Sequence, residues 1–257
     1  MTIRSIHLNV ADVARSVAFY TELLGLVPVG EPDAEGAALD AVTATIRLHR
    51  GAAEPSDWEA DDLQTGFRHI GFKVSELGPI VERLRSAGTP FHLDPLDAEG
   101  GVRITFFFDP DGVLLELVEG PLQYHEVIDR EAVERDWALG TPSRPRFDHV
   151  AETVEDLERT EDFYGELGYV KMAGIHQPHD PRGFEITFLR SGDSSLELFA
   201  FDRAETRPRT IRGSERGFLA MELERAASHD ASVSAELPDG RRLRADPDGL
   251  LHVGASV

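Results

Sequence analysis

The apolar pattern of the first quarter changes from extended to helical. Residues 2–9 form a largely apolar run that is typical of a strand. Asp12 then supplies an N-cap, and the following segment places apolar side chains at helical spacing, at Val13, Val17, Tyr20 and Leu24. Further strands are predicted near 26–29, 37–39 and 42–48. This quarter is therefore predicted to be a strand, a helix and three short strands.

The same order of elements recurs along the chain. In the second quarter, a strand over 68–74 is followed by a helical stripe that ends at Gly88, formed by Leu77, Ile80, Val81 and Leu84. Strands are predicted at 103–108 and 113–118, with a turn between them. The third quarter, 146–203, repeats this order. The fourth, 217–257, is shorter, and 225–230 leaves room for little more than one helical turn.

Three motifs occur twice and in the same order, which predicts a tandem duplication. They are Arg15-x-x-x-Phe19-Tyr20-x-Glu22-Leu23 with Arg159-x-x-x-Phe163-Tyr164-x-Glu166-Leu167, Gly66-Phe67 with Gly217-Phe218, and Asp109-Pro110-Asp111-Gly112 with Asp246-Pro247-Asp248-Gly249. The predicted domains are 1–120 and 146–257. A linker over 121–145 joins them and is predicted to be partly helical, within 125–137.

Composition narrows the possible functions. The chain of 257 residues has a net charge of −21, which argues against nucleic acid or an anionic membrane as a partner. It has no cysteine, so disulfides and thiolate chemistry are excluded. No apolar leader or membrane-length run is found. We therefore expect a cytoplasmic protein that acts on a small molecule.

Three ionisable residues lie in apolar runs that are predicted to be strands: His7, His69 and Glu116. Such side chains are costly to bury unless they are paired or bind a metal. Two imidazoles and one carboxylate on facing strands would form a site for one divalent metal, with positions left open for a ligand. Fe, Mn, Zn and Ni all suit this donor set.

The chain resembles the vicinal oxygen chelate superfamily, which includes glyoxalase I, fosfomycin-resistance proteins, bleomycin-binding proteins and extradiol dioxygenases. The resemblance is carried by Ile6-His7-Leu8, Phe19-Tyr20-x-Glu22-Leu23-Leu24-Gly25, Phe67-Arg68-His69-Ile70-Gly71-Phe72 and Phe107-Phe108-Asp109-Pro110-Asp111-Gly112-x-x-x-Glu116. It implies an α+β fold of two tandem glyoxalase-like domains, each of paired βαβββ modules that form a cupped mixed sheet. By position, the implied metal ligands of the first cup are His7, His69 and Glu116. A chain with four modules completes its own cups, so we expect a monomer or a weak homodimer.

The fourth ligand position of the first cup is a glutamate in glyoxalase I, and Arg47 takes this place here. An arginine cannot be a ligand, so Arg47 is predicted to bind an anionic substrate. Phe106 and Arg103, on the strand before Glu116, are predicted to contact the substrate as well. Phe106 stands where the dioxygenase signature has a tyrosine, which argues against ordinary catechol cleavage.

The second half departs further from the family pattern. His149 corresponds to His7, and Glu197 lies where glyoxalase I has its glutamate. Ala220 and Val253, however, occupy the other two ligand positions, and His252 is one residue out of register. The second cup is therefore expected to lack a metal.

These features predict a metal-dependent enzyme of the lyase, isomerase or transferase type. Glu116 or a metal-bound water is the simplest catalytic proton carrier, and Tyr20 is a more distant candidate. Two alternatives remain open at this point. One is a protein of the bleomycin-resistance type that sequesters a drug or metabolite, and the other is an atypical extradiol dioxygenase.

Overall fold

The structure is a computed structural model, and it describes residues 2–51, 56, 58–209, 215–225 and 231–255. These residues form two mixed β-sheets with helices packed against them, which confirms the predicted α+β fold. None of the helices in the described residues is long and apolar enough to cross a bilayer.

The first two quarters each begin with a strand and a helix. The first contains β1 Ile3–Val10, α1 Val13–Ala18, β2 Val27–Pro28, β3 Gly36–Asp40 and β4 Thr45–Arg50. The cap predicted at Asp12 is present, and α1 continues as a π-helical segment over Phe19–Leu24. The second contains β5 Gly66–Val74, α2 Gly78–Ser86, β6 Phe91–Ala98, β7 Val102–Phe108 and β8 Leu114–Glu119.

The second half repeats this order after a linking segment. The linking segment contains β9 Glu126–Val127 and α3 Arg130–Ala138, and the third quarter contains β10 Arg146–Thr153, α4 Leu157–Glu166, β11 Val170–His176, β12 Phe184–Ser191 and β13 Ser194–Phe201. The fourth contains β14 Gly217–Leu223, β15 Ala231–Glu236, β16 Arg242–Ala245 and β17 Leu251–Gly254. The short helix predicted at 225–230 falls, beyond Arg225, outside the described residues.

The two sheets join quarters from different halves of the chain. The nine-stranded sheet has the order β6-β7-β8-β5-β10-β13-β12-β11-β9, and the eight-stranded sheet has the order β15-β16-β17-β14-β1-β4-β3-β2. β5 pairs antiparallel with β10, and β1 pairs antiparallel with β14. The expectation that each half forms its own cup is therefore wrong, because the second quarter pairs with the third and the first with the fourth. The domain boundaries predicted from the duplication stay a prediction: two units over 1–120 and 146–257, joined by a linker over 121–145.

Consecutive quarters contact each other through the repeated Asp-Pro-Asp-Gly turns. The Tyr20 hydroxyl donates to Oδ2 of Asp109 at 2.8 Å, and the Tyr164 hydroxyl donates to Oδ2 of Asp246 at the same distance. All four side chains are buried. Each bond links a helix of one quarter to a turn of the next, so the repeated motifs join the two sheets.

The linking segment packs against the nine-stranded sheet. β9 pairs with the edge strand β11, and Ala132 and Val133 of α3 share a small core with Met172 and Phe188. Arg190 of β12, almost fully buried, binds Asp136 of α3 at 2.6 Å. The segment is therefore held against the face of this sheet that carries Met172 and Phe188.

Candidate metal centre

Four ionisable side chains converge on the nine-stranded sheet: His69, Glu116, His149 and Glu197. They come from the adjacent strands β5, β8, β10 and β13 in the middle of the sheet. Each offers one ligand atom, and these atoms all lie within 4.8 Å of one another. Each half of the chain supplies one histidine and one glutamate. Among the described residues, no second group of three or more metal-ligating side chains is found.

The distances within this cluster are those expected around a small cation. Nε2 of His69 lies 3.1 Å from Nε2 of His149. Oε2 of Glu116 lies 3.3 Å and 3.0 Å from these two nitrogens. Neighbouring ligands of a metal with bonds near 2.1 Å are about 3 Å apart. Glu197 approaches the other side of the ring, with Oε1 at 3.3 Å from Nδ1 of His149.

Small residues make room for the two imidazoles. In the antiparallel register of β5 and β10, Gly71 lies opposite His149 and Ala151 lies opposite His69. A Cβ atom at Gly71 would lie only 2.0 Å from Cε1 and 2.3 Å from Nε2 of the His149 ring. Glycine at this position is therefore required for the ring to lie flat across β5.

Burial and mutual contacts set the protonation of the cluster. Burial lowers the pKa of His69 to about 4, so its imidazole is neutral. Burial would raise the pKa of Glu116, but hydrogen bonds from His149 and His69 hold it at about 2. Burial would lower the pKa of His149, but Glu197 and hydrogen bonds with Asp148 and Glu116 raise it well above its usual value. Burial also raises the pKa of Glu197 to about 8.

The donor set fits a divalent metal. Without a cation, three carboxylates crowd around His149: Glu116, Asp148 and Glu197. A bound divalent cation would balance the charge of both glutamates, and neutral imidazoles would complete its coordination. His69, Glu116, His149 and Glu197 are the residues that would hold it. Asp148, 3.2 Å from Nδ1 of His149, is placed to orient that ring.

A cavity of about 190 Å³ opens above the cluster, which is room for a small molecule. Glu116 and Glu197 form part of its wall, whereas the two histidines are not among its lining residues. The carboxylates therefore face the open space and the imidazoles lie beneath it. The linking segment closes one side with Leu122, Tyr124 and Trp137.

Of the three predicted metal ligands, the structure brings His69 and Glu116 together and leaves His7 out. His7 is on β1, in the other sheet, because β5 pairs with β10 and not with a strand of the first quarter. Its Nδ1 lies 2.8 Å from Nε2 of His49, and its Nε2 lies 3.1 Å from Oγ of Ser5. Glu222 also contacts Nε2, at 3.2 Å. Both ring nitrogens of this buried histidine thus have partners in the protein.

The expectation that the second half contributes no metal site is also corrected, since His149 and Glu197 complete the cluster. Their partners are supplied by the second quarter, so Ala220 and Val253 do not bear on this site. Those two residues lie on β14 and β17 of the eight-stranded sheet. The absence of metal-binding side chains at these two positions therefore concerns the other sheet.

The three predicted substrate-binding residues separate in space. Phe106 lies at the cluster, with its ring edge-to-face to His69 at 4.9 Å. Arg47 is exposed on β4 of the other sheet, opposite His7, and therefore cannot reach this cavity. Arg103 is exposed and pairs with Asp97 and Glu119. It points away from the cup because alternate residues of β7 face opposite sides, with Val102 and Ile104 in the cavity wall.

Comparisons with known proteins agree with this architecture. The family model of the Glyoxalase/Bleomycin resistance protein/Dioxygenase superfamily matches residues 2–117. A lactoylglutathione lyase of Salmonella typhimurium is 31% identical over 118 residues, which is 44% of this chain and 87% of that protein. An uncharacterized protein of Bacillus subtilis is 34% identical over 143 residues, 46% of this chain and 99% of that protein. A lactoylglutathione lyase of Arabidopsis thaliana is 28% identical over 178 residues, 66% of this chain and 56% of that protein.

Among solved structures, glyoxalase I from Zea mays has the same fold. Its TM-score is 0.67 at 19% sequence identity, and the match covers 98% of this chain and 92% of that one. The similarity therefore extends over both sheets.

Proposed function

The chain belongs to the glyoxalase/bleomycin resistance protein/dioxygenase superfamily, and we propose that it is a metal-dependent enzyme with one centre in the nine-stranded sheet. The observation that carries this proposal is the convergence of His69, Glu116, His149 and Glu197 beneath a cavity of about 190 Å³. One chain supplies all four side chains.

The proposed reaction is a glyoxalase-I-type isomerisation. Glyoxalase I has a glutamate at the position that Arg47 takes in the first quarter, and an arginine cannot replace this metal ligand. In the nine-stranded sheet, both corresponding positions are glutamates, Glu116 and Glu197. Several relatives of the chain are lactoylglutathione lyases. The substrate would be the adduct of a 2-oxoaldehyde and a thiol, and the product a 2-hydroxyacyl thioester.

The two carboxylates have the positions needed for proton transfer. The isomerisation moves two protons. The C–H proton of the carbon that bears sulfur goes to the neighbouring carbon, and the hydroxyl proton of the first carbon goes to the oxygen of the second, so that the first carbon becomes the thioester carbonyl and the second an alcohol. Glu116 and Glu197 come from opposite halves of the cluster and both face the cavity. One carboxylate takes the proton and returns it within reach of the adjacent carbon. A divalent cation held by the four side chains would supply Lewis-acid stabilisation of charge on two adjacent oxygens.

The cavity walls assist this chemistry by limiting access of water. Phe106 packs edge-to-face against His69 beneath the cavity, and Phe188 and Ile186 are part of the cavity wall. Exclusion of water strengthens the electrostatic interactions of the two carboxylates with a bound substrate.

The test compares His149→Ala with His7→Ala. We expect the wild type and His7→Ala to bind one equivalent of Zn²⁺, Ni²⁺, Mn²⁺ or Fe²⁺ by calorimetry, and His149→Ala to lose at least about a hundredfold in affinity. Metal loss in His7→Ala with retention in His149→Ala would contradict the site. If both variants lose metal affinity, circular dichroism would show whether they are folded. Loss of metal affinity in two folded variants would refute the assignment of the metal centre to the nine-stranded sheet alone.

Turnover assays distinguish an isomerase from a dioxygenase or a sequestering protein. Metal-loaded protein should convert the adduct of methylglyoxal and glutathione to a thioester, and Glu197→Gln should abolish this activity. Oxygen uptake with a catechol under Fe²⁺, or tight metal-free drug binding without turnover, would overturn the isomerase proposal in favour of a dioxygenase or a sequestering protein.

A further inference from the structure

We propose that the eight-stranded sheet carries a metal-independent binding site for a small 2-hydroxy carboxylate. In this site, Arg47 binds the carboxylate, and Nδ1 of His49 accepts a hydrogen bond from the hydroxyl group. The site is separate from the metal centre, because β4, which carries both residues, belongs to the other sheet. The inference does not depend on the proposed isomerase activity.

Arg47 and His49 lie on one face of the eight-stranded sheet. They are two residues apart on β4, and alternate residues of a strand share a face. Arg47 is the cross-strand partner of His7 of β1, so His7 lies on this face as well. Glu222 of β14, on the other side of β1, contacts the His7 ring. Three neighbouring strands therefore bring these four side chains together.

A chain of hydrogen bonds determines which nitrogen of His49 is available to a ligand. Oε2 of Glu222 lies 3.2 Å from Nε2 of His7, and Nδ1 of His7 lies 2.8 Å from Nε2 of His49. The planes of the two rings differ by only 2°, which suits a hydrogen bond between ring nitrogens. A carboxylate only accepts, so a neutral His7 donates to it from Nε2 and accepts at Nδ1. His49 then donates from Nε2, and its Nδ1 keeps a lone pair.

The charge states of the cluster support this direction of the hydrogen bonds. The hydrogen bond from His7 holds the pKa of Glu222 at about 2, against the opposing effect of burial, so the carboxylate is ionised. Burial, His7 and Arg47 lower the pKa of His49 to about 4, so its imidazole is neutral near pH 7. Within the described ranges, Nδ1 of His49 has no hydrogen-bond partner. This half-buried nitrogen is therefore an oriented acceptor that a ligand can use.

Arg47 supplies the cation of the site. Its side chain is exposed and makes no hydrogen bond or ion pair with other residues that the structure describes. Arg241, whose positive charge also acts on His49, is already engaged by Glu222 at 3.1 Å and by Asp239 at 2.8 Å. These two carboxylates are bound elsewhere, and the guanidinium of Arg47 can pair with a carboxylate from solution.

The two groups together define the class of ligand. His49 offers only an acceptor and Arg47 only donors, so the ligand needs a hydrogen-bond donor and an anionic acceptor. An ammonium group suits His49 poorly, because Arg47 already opposes positive charge on that ring. A hydroxyl group donates without a charge. The two residues are about 7 Å apart along the strand, and the long arginine side chain can bring its guanidinium close enough to His49 for both to bind one 2-hydroxy carboxylate.

The test uses protein freed of metal by a chelator that is then removed by dialysis, so that the metal centre takes no part. Proton–nitrogen correlation NMR follows the histidine rings, and His49→Phe identifies the signals of His49. Lactate is compared with propionate, which lacks the hydroxyl group, and with alanine, which has an ammonium group in its place. We expect lactate to shift the Nδ1 signal of His49, to leave the signals of His69 and His149 unchanged, and to bind about tenfold more tightly than propionate or alanine.

Two substitutions separate the two contacts. Arg47→Gln should weaken the binding of lactate and propionate alike, about tenfold or more. Arg50→Gln is the matched control, at an exposed arginine of the same strand that pairs with Glu35, and should change neither affinity. His49→Phe should remove only the preference for lactate over propionate.

Three results would each overturn the site. The first is equal lactate affinity in Arg47→Gln and the wild type. The second is the absence of a lactate-dependent shift at His49, or of a preference for lactate over propionate in the wild type. The third is tighter binding of inorganic phosphate than of lactate, because the site would then select a different class of anion.

Discussion

A methyl group added at Gly71 should disable the metal centre while leaving the sheet intact. Gly71 is in the middle of β5, and the His149 ring lies directly across it. In Gly71→Ala, the new Cβ would lie 2.0 Å from Cε1, 2.3 Å from Nε2 and 2.5 Å from Nδ1 of this ring. The whole imidazole, and not a flexible chain end, would have to move.

The size of this movement decides the outcome. Ordinary contacts between carbon atoms are about 3.5–4 Å, so the ring must retreat by more than an ångström. Metal–ligand distances tolerate only about 0.2 Å. His149 would therefore leave the coordination sphere, and its contact with Glu116, now 3.0 Å, would break. We expect metal affinity to fall by at least about a hundredfold, as in His149→Ala.

The assay measures metal affinity by calorimetry and stability by denaturant unfolding. Gly165→Ala is a matched control, because a Cβ added there on α4 meets nothing within 4 Å. It should bind metal like the wild type. Wild-type metal affinity in Gly71→Ala would refute the placement of His149, and loss of the folded state in Gly71→Ala would show that the ring cannot retreat at all.

Two further predictions concern buried charge. Burial and the nearby Asp246 raise the pKa of the fully buried Glu152 well above its usual value. Glu152→Gln should therefore increase the free energy of unfolding relative to wild type, by a margin that grows as pH rises above about 4.5, at up to about 1.4 kcal/mol per pH unit. A margin that shrinks with rising pH would contradict this. Asp136→Ala removes the partner of the buried Arg190 and should cost about 1.5–3 kcal/mol in chemical unfolding, whereas an unchanged midpoint would show that Arg190 finds another acceptor.

Local sequence patterns predicted the elements of this fold well. The cap at Asp12 and the alternation of apolar residues depend on neighbours a few positions away, and both are present. The pairing of the quarters was not predictable in this way. The first strands of the four quarters, β1, β5, β10 and β14, have similar apolar patterns. Pairing within the halves and pairing across them would bury the same faces of these strands. The backbone hydrogen bonds between two strands are the same for almost any side chains. Which strands pair therefore depends on the packing of the whole chain.

The metal centre was half predicted for the same reason. His69 and Glu116 lie on the adjacent parallel strands β5 and β8, within one quarter, and Glu116 pairs with Gly71, two residues after His69. The pattern of that quarter was sufficient to find both. His149 and Glu197 stand in the same relation across β10 and β13. The sequence pattern groups His149 and Glu197 with Ala220 and Val253 in one cup, which predicts no metal there. Ala220 and Val253 in fact belong to the other sheet.

The distribution of intact and altered ligand positions contains the missing information about pairing. The positions that carry histidine or glutamate in the second and third quarters are His69, Glu116, His149 and Glu197, and all four lie in one sheet. The altered positions are Arg47, Ala220 and Val253, and these lie in the other sheet with His7. Metal binding constrains four ligand positions together, so loss of one ligand relaxes the constraint on its own group only. Pairing the second quarter with the third gathers every intact position except His7 into one site, whereas pairing within halves would leave two incomplete sites. His7 has a different role, because His49, Ser5 and Glu222 contact both of its ring nitrogens.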